Sequence, residues 1–254
     1  MDRLRPRPGT EGRTWRVGRV FGGLVPGRNL VLRSFEADLD QLKPHLSLEP
    51  FQAGQVLKDQ WEEVDRVYFP TYGLVSARAI LASGHQLECT LIGRTNAVGV
   101  VATLGFHSSL TRYVCLTDGH AWSIPLSKLL AAMRTSEVVE RQLKVFAFAQ
   151  MGYAMLGGVC NAMHSAEQRV SRWLTTAADL LGRTEIRLSQ EELASGLGLQ
   201  RTALNPTLQR LKAEGLVEVA RGRIGILAAD QLKQRACECS HMLRRSLFLE
   251  ASAH

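Results

Sequence analysis

The chain has 254 residues, 45% hydrophobic and 22% charged; this excludes a mainly disordered protein and leaves room for one or two packed domains. Five Cys are too few for a disulfide framework at this length, so a reducing cytoplasm is expected. The formal charge of +7 and pI near 9.5 point to an acidic partner, nucleic acid first, but residues 1–28 alone carry seven Arg against Asp2 and Glu11, net +5.

Those residues also hold Pro6, Pro8 and Pro26 and no sustained apolar period, and read as a disordered basic tail. They contain no apolar core of a secretory signal. Between Asn29 and Pro50 the spacing of Leu32, Phe35, Leu39 and Leu42 predicts a short amphipathic helix. Short β-rich runs follow at 55–58, 66–69, 74–80, 87–92, 113–116 and 121–124. They are punctuated by Ala53-Gly54, Tyr72-Gly73, Ser83-Gly84, Ile92-Gly93 and Asp118-Gly119. That rhythm predicts an antiparallel sandwich or barrel, and residues 29–135 are assigned to it.

After Pro125 a short helix is expected over 126–133. Ser136 then caps a long one, with Glu137 in its first turn. Val139, Leu143, Phe146, Gln150, Tyr153, Leu156 and Cys160 follow a 3-4 spacing along one face. Residues 145–163 carry no charge and are long enough to span a bilayer. Gln150, Asn161 and the glycines Gly152, Gly157 and Gly158 argue against a span and for a dimerisation helix over 136–163, with Leu143, Phe146, Gln150, Tyr153 and Leu156 as its stripe. No membrane contact is expected.

A further helix over 166–181 carries Val170, Trp173, Leu174, Ala177 and Leu181, and Gly182 ends it. Ser189 and Glu192 form the signature of a capping box opening helix 190–195. Gly196-Leu197-Gly198-Leu199 turns the chain. A second helix, 201–214, follows, with Leu204, Leu208 and Leu211 inward. Val217–Val219 and Ile224–Leu227 then flank the basic tip Arg221-Gly222-Arg223. Helix, turn, helix and wing make a winged helix-turn-helix, assigned to 164–240, with 241–254 as a tail. In that motif the second helix enters the major groove of double-stranded DNA. Gln200, Arg201, Thr202 and Asn205 are placed to read bases, Arg201 suiting guanine and Asn205 adenine. Ser189, Gln190, Thr207, Lys212, Arg221, Arg223, Arg169 and Arg172 are placed for phosphates. Pro206 inside the reading helix predicts a local bend.

Other chemistry is thinly represented. Cys237-x-Cys239 lacks a paired second motif, Cys160 and His164 make only an i, i+4 pair, and His85-x-x-Glu88 lacks a second His. No metal site is assigned from these. No Gly-x-Ser-x-Gly, P-loop or zinc-protease helix is present, and an enzyme is not expected.

Several segments together carry a family resemblance. They are Val67-Tyr68-Phe69-Pro70 with Gly73-Leu74-Val75-Ser76, Cys160-Asn161-Ala162-Met163-His164, Arg172-Trp173-Leu174, Leu188-Ser189-Gln190-Glu191, Arg221-Gly222-Arg223-Ile224 and Cys237-Glu238-Cys239. Over residues 29–240 the order of elements resembles the Crp/Fnr superfamily of transcription regulators. The resemblance implies an α+β chain: a β-roll effector domain of the cyclic-nucleotide-binding kind, a long dimer helix and a winged helix-turn-helix. It also implies a homodimer on a palindromic operator and contact with RNA polymerase. The family's phosphate cassette falls on Gly99–Arg112, which makes Gly99, Val100, Thr111 and Arg112 the candidate effector pocket. Val100 replaces the expected acid and Arg112 is about two residues out of register, which argues against cyclic AMP. The first Cys is Cys89, so no N-terminal iron–sulfur cluster is expected. No other cofactor is evident and the effector is unassigned. The alternative reading is a small-molecule or redox sensor whose output is protein association.

Overall fold

The computed structural model describes residues 29–35 and 38–239. The tails assigned to 1–28 and 241–254 lie outside the described residues. The predicted N-terminal helix is two short ones, α1 (Leu30–Arg33) and α2 (Leu39–Leu42). Asn29 caps α1, its side chain accepting from the Val31 and Leu32 amides. Leu32, Phe35, Leu39 and Leu42 are all buried, as their spacing predicts.

Seven strands build the first domain: β1 (Ser47–Phe51), β2 (Val56–Lys58), β3 (Arg66–Tyr72), β4 (Val75–Ile80), β5 (Gln86–Ile92), β6 (Arg112–Cys115) and β7 (Gly119–Pro125). They form two antiparallel sheets, ordered β1-β7-β3 and β2-β6-β4-β5. β1 is not anticipated, because the chain up to Pro50 reads as a helical segment. It is an edge strand, where a missing amide costs no ladder bond, and Pro70 likewise sits on the other edge of the same sheet. Two of the predicted turn glycines meet. Gly73 has φ +94°, and a Cβ on Gly119 would lie 2.3 Å from the Tyr72 carbonyl oxygen. Neither position accepts a side chain.

α3 (Leu126–Thr135) leads into α4 (Glu137–Met163), whose N-cap Ser136 accepts from the Val139 amide. The first half of α4 belongs to the β-roll. Val139, Leu143 and Ala147 join Val67, Phe69, Trp122, Ile124 and the α1–α2 residues in one core. This corrects the stripe assigned to a partner. Leu143 and Gln150 are buried within their own domain, Phe146 packs on the same core, and Tyr153 and Leu156 are half-buried. Gly157 also serves an intramolecular approach, since a Cβ there would sit 2.6 Å from the Cys89 carbonyl oxygen on β5. The exposed apolar face of α4 is a different one. It comprises Phe148 (62% exposed), Met151, Met155 (73%), Val159 and Met163 (75%).

The C-terminal unit runs α5 (Ala166–Leu181), β8 (Glu185–Ile186), α6 (Gln190–Leu197), α7 (Arg201–Ala213), β9 (Val217–Ala220), β10 (Arg223–Ile226) and α8 (Ala229–Arg235). The wing sheet is ordered β8-β10-β9. Its core gathers Val170, Trp173, Leu174, Ala177, Leu193, Leu204, Leu208, Leu211 and Ile224, and it extends into the first domain through Leu74, Leu91 and Leu116. A full capping box forms at Ser165 and Gln168, which the sequence reading passes over. At Ser189 the expected box is half made. Ser189 accepts from the Glu192 amide, but the Glu192 carboxylate turns to Arg78 instead. The two units are further joined by a polar chain. Glu192 takes Arg78 at 2.9 Å, Arg78 donates to Ser76 at 3.0 Å, Ser76 donates to Glu88 at 2.7 Å, and Trp173 donates to Glu88 at 2.8 Å.

Candidate nucleic-acid interface and effector cavity

α6 packs against β5 and carries α7 outward on the turn at Gly198, whose φ of +60° suits glycine. Leu204, Leu208 and Leu211 point into the core, and this fixes which face of α7 is free. Gln200, Arg201, Thr202 and Asn205 all lie on that exposed face in the first turns of the helix, as the sequence reading places them. Arg201 is held by Glu191 at 2.6 Å, a pair exposed on both sides and therefore readily exchanged for another acceptor. Pro206 lies inside α7 without ending it, and the helix runs on to Ala213. The proline thus does not interrupt the exposed polar face.

Of the residues assigned to phosphates, Ser189, Lys212, Arg221 and Arg223 are exposed and Gln190 is partly so. Arg223, at the wing, contacts Glu185 at 3.3 Å and Glu218 at 3.8 Å. Three assignments are corrected. Thr207 is buried and its hydroxyl donates to the Ala203 carbonyl. Arg169 is buried and donates to the Leu197 carbonyl, pinning α5 to the end of α6. Burial lowers its pKa from the usual arginine value. Arg172 is half-buried on α5 with its Nε enclosed, facing inward rather than toward a phosphate. The two arginine corrections have one source. The 3-4 spacing of α5 reveals its apolar stripe, but not that the Arg residues beside that stripe also turn inside.

A cavity of about 120 Å³ lies between the β-roll and α4. Its lining includes Cys89, Gly99, Thr111, Tyr113, Gln150 and Met151. Thus Gly99 and Thr111 are at the cavity, while Val100 and Arg112 are not. Val100 is buried in the core, and Arg112 pairs with Asp59 through two bonds of 2.8 and 2.7 Å. That pairing lowers the Asp59 pKa and raises that of Arg112. Among the described residues, no charged side chain lines the cavity. Gln150, read as part of a dimer stripe, is instead at the cavity with its amide 3.5 Å from the Tyr113 hydroxyl. Burial raises the Tyr113 pKa and keeps the phenol neutral. The pair His85 and Glu88 does not converge. His85 is exposed beside Ser83, whereas Glu88 is buried under Trp173.

Comparison with known proteins agrees with this architecture. Residues 168–235 match the family model for the Crp-like helix-turn-helix domain, and residues 48–136 match that for the cyclic nucleotide-binding domain. No curated protein matches the sequence. Among solved structures, the chain is similar to FixK2 from Bradyrhizobium japonicum, with a TM-score of 0.66 at 16% identity over 76% of this chain and 98% of that one. It is also similar to TTHB099, a CRP-family transcriptional regulator from Thermus thermophilus, with a TM-score of 0.62 at 19% identity over 74% and 96%. A third is the c-di-GMP responsive global regulator CLP of Xanthomonas campestris, with a TM-score of 0.61 at 16% identity over 74% and 97%. With a cyclic-nucleotide-binding-type β-roll joined through a long helix to a Crp-like helix-turn-helix, the chain belongs to the Crp/Fnr family of transcription regulators.

Proposed function

We propose that the protein is a cytoplasmic, dimeric regulator, not an enzyme, that reads a palindromic DNA operator with α7. The observation that carries this is the polar face of α7. Gln200, Arg201, Thr202 and Asn205 stand exposed together, flanked by Lys212 and by the wing cations Arg221 and Arg223. A helix presenting donors and acceptors beside cations suits base edges between phosphates. The second copy covers the apolar face of α4 formed by Phe148, Met155, Val159 and Met163. By length and composition α4 is able to cross a membrane, with a mean hydropathy of 1.3 over its most apolar stretch. The same helix supplies Leu143 and Ala147 to the β-roll core, a role it cannot keep inside a bilayer. The dimer then brings two reading helices to half-sites about one helical turn apart, and RNA polymerase is the further partner the family implies.

A cyclic nucleotide is not the signal in this reading. A cyclic phosphate needs a cation, none lines the cavity among the described residues, and its volume of about 120 Å³ is well below the roughly 300 Å³ at which ligand pockets usually begin. The test is selection from random duplex DNA at low salt. A two-fold symmetric consensus is expected, and failure to enrich any sequence would overturn the reading.

A further inference from the structure

We propose that Cys160, His164, Cys237 and Cys239 bind a single zinc ion. The sequence holds these residues as two ordinary pairs more than seventy positions apart, and the fold joins them. Cys160 lies in the last turn of α4 and His164 is its C-cap, while Cys237 and Cys239 follow α8. One ligand atom from each of the four lies within 4.8 Å of every other. The Sγ atoms of Cys160 and Cys237 are 3.5 Å apart, and the Cys239 Sγ is 3.7 Å from the His164 Nδ1. A tetrahedral zinc ion with bonds of about 2.3 Å to sulfur and about 2.0 Å to nitrogen needs edges of about 3.5–3.8 Å. The two separations of 3.5 and 3.7 Å fall within that range, the other pairs lie within 4.8 Å, and 3.5 Å between sulfurs is too long for a disulfide.

Three further observations point to a metal rather than to thiols used as packing. Cys160, Cys237 and Cys239 form a buried cluster containing no other hydrophobic residue, separate from the three aliphatic cores. His164 turns Nδ1 to the sulfurs while its Nε2 lies 3.3 Å from the Glu238 carboxylate. This is the carboxylate–histidine arrangement that orients an imidazole ligand on zinc. Three thiolates around a dication leave one net negative charge, and two cations stand beside it. Arg169 interacts electrostatically with Cys160, and Arg172 with Cys239. The placement of these two arginines on α5, Arg169 buried and Arg172 half-buried, therefore has an electrostatic reason. Four protein ligands leave no open position, so the site is structural rather than catalytic. Ligand atoms that all lie within 4.8 Å of one another fit one ion and leave no room for a multi-iron cluster. Bound there, zinc fastens the segment after α8 to the end of α4, beside the joint at which α5 departs.

The test uses the full chain purified under reducing conditions. Mass spectrometry of the metal content is expected to find about one zinc per protomer. Stripped protein titrated with Co²⁺ is expected to show the intense visible bands of a tetrahedral ion together with sulfur-to-cobalt charge transfer. Cys237→Ser and Cys239→Ser are each expected to abolish that spectrum, with circular dichroism showing whether the variant remains folded. Glu238→Gln lies outside the ligand set. It should keep the spectrum and weaken Co²⁺ affinity by roughly 10–100-fold. Three results would overturn the assignment: folded wild-type protein that takes up no Co²⁺, a Co²⁺ spectrum without charge transfer, or iron–sulfur absorption in the purified protein. None of these readouts depends on DNA binding, so the zinc site and the operator reading stand or fall separately.

Discussion

The Trp173 indole donates a 2.8 Å hydrogen bond to the Glu88 carboxylate across the junction between the β-roll and the DNA-binding unit. Both residues are buried, and Ser76 donates to the other carboxylate oxygen. Burial raises the Glu88 pKa above the ordinary glutamate value of 4.5, opposed by the bonds from Ser76 and Trp173 and by Arg78 and Arg172 nearby. A carboxyl raised on folding adds stability that is complete below pH 4.5 and is lost as pH rises through the folded-state value. The junction is expected to loosen over that rise. Glu88→Gln keeps an acceptor for Trp173 and removes the charge, so thermal melts of that variant should lose this part of the pH dependence.

Trp173→Phe removes the donor and leaves a buried acceptor unmatched. A cost of about 1–3 kcal/mol is expected, read by denaturant unfolding. The loss should be larger above the Glu88 transition, where the carboxylate is charged. An unchanged midpoint would mean that the bond contributes nothing across the junction.

Arg201→Ala is expected to weaken binding to a selected operator by about 1–3 kcal/mol and to relax the preference at one base pair. Lys212→Ala should instead weaken all duplexes alike and reduce the salt dependence by about one counterion. Equal behaviour of the two variants would displace α7 from the groove.

Met155→Glu and Val159→Glu place charge on the exposed face of α4 without touching the β-roll core. Light scattering should show monomers. Leu143→Ala, on the opposite face, should instead cost about 2–5 kcal/mol of folding stability, because it opens a cavity in the β-roll core.

Calorimetry with cyclic AMP is expected to show no binding. Arg112→Ala should change this result not at all and stability by about 1 kcal/mol or less, since its pair with Asp59 is partly exposed to solvent. Saturable binding abolished by the substitution would restore the phosphate role.

Local signals carry much of this structure. Turn glycines and alternating runs place six of the strands, and the inward leucines of α7 orient that helix. What local pattern does not show is which side of an apolar helix meets its own domain. The 3-4 stripe through Leu143 and Gln150 marks the intramolecular face, and the exposed apolar face lies about a third of a turn away or more. Nor does spacing reveal that Arg169 turns inward to a carbonyl at the end of α6, or that Cys160 meets Cys237. Those are long-range contacts, fixed by how α8 packs on α5 and returns the following segment to the end of α4. β1 escapes a local reading because it closes the segment read as helical, and its Pro50 is accommodated by a place at the sheet edge that only the fold reveals.

The contact at Gly157 sets how closely α4 approaches the sheet. With the Cys89 carbonyl oxygen 2.6 Å from where a β-carbon would be, α4 rests backbone to backbone on β5 at that point. Gln150 and Met151, at the cavity, lie on one side of this contact, and Cys160 and His164 on the other. Any larger residue at 157 would have to lift the helix from the strand midway between the two.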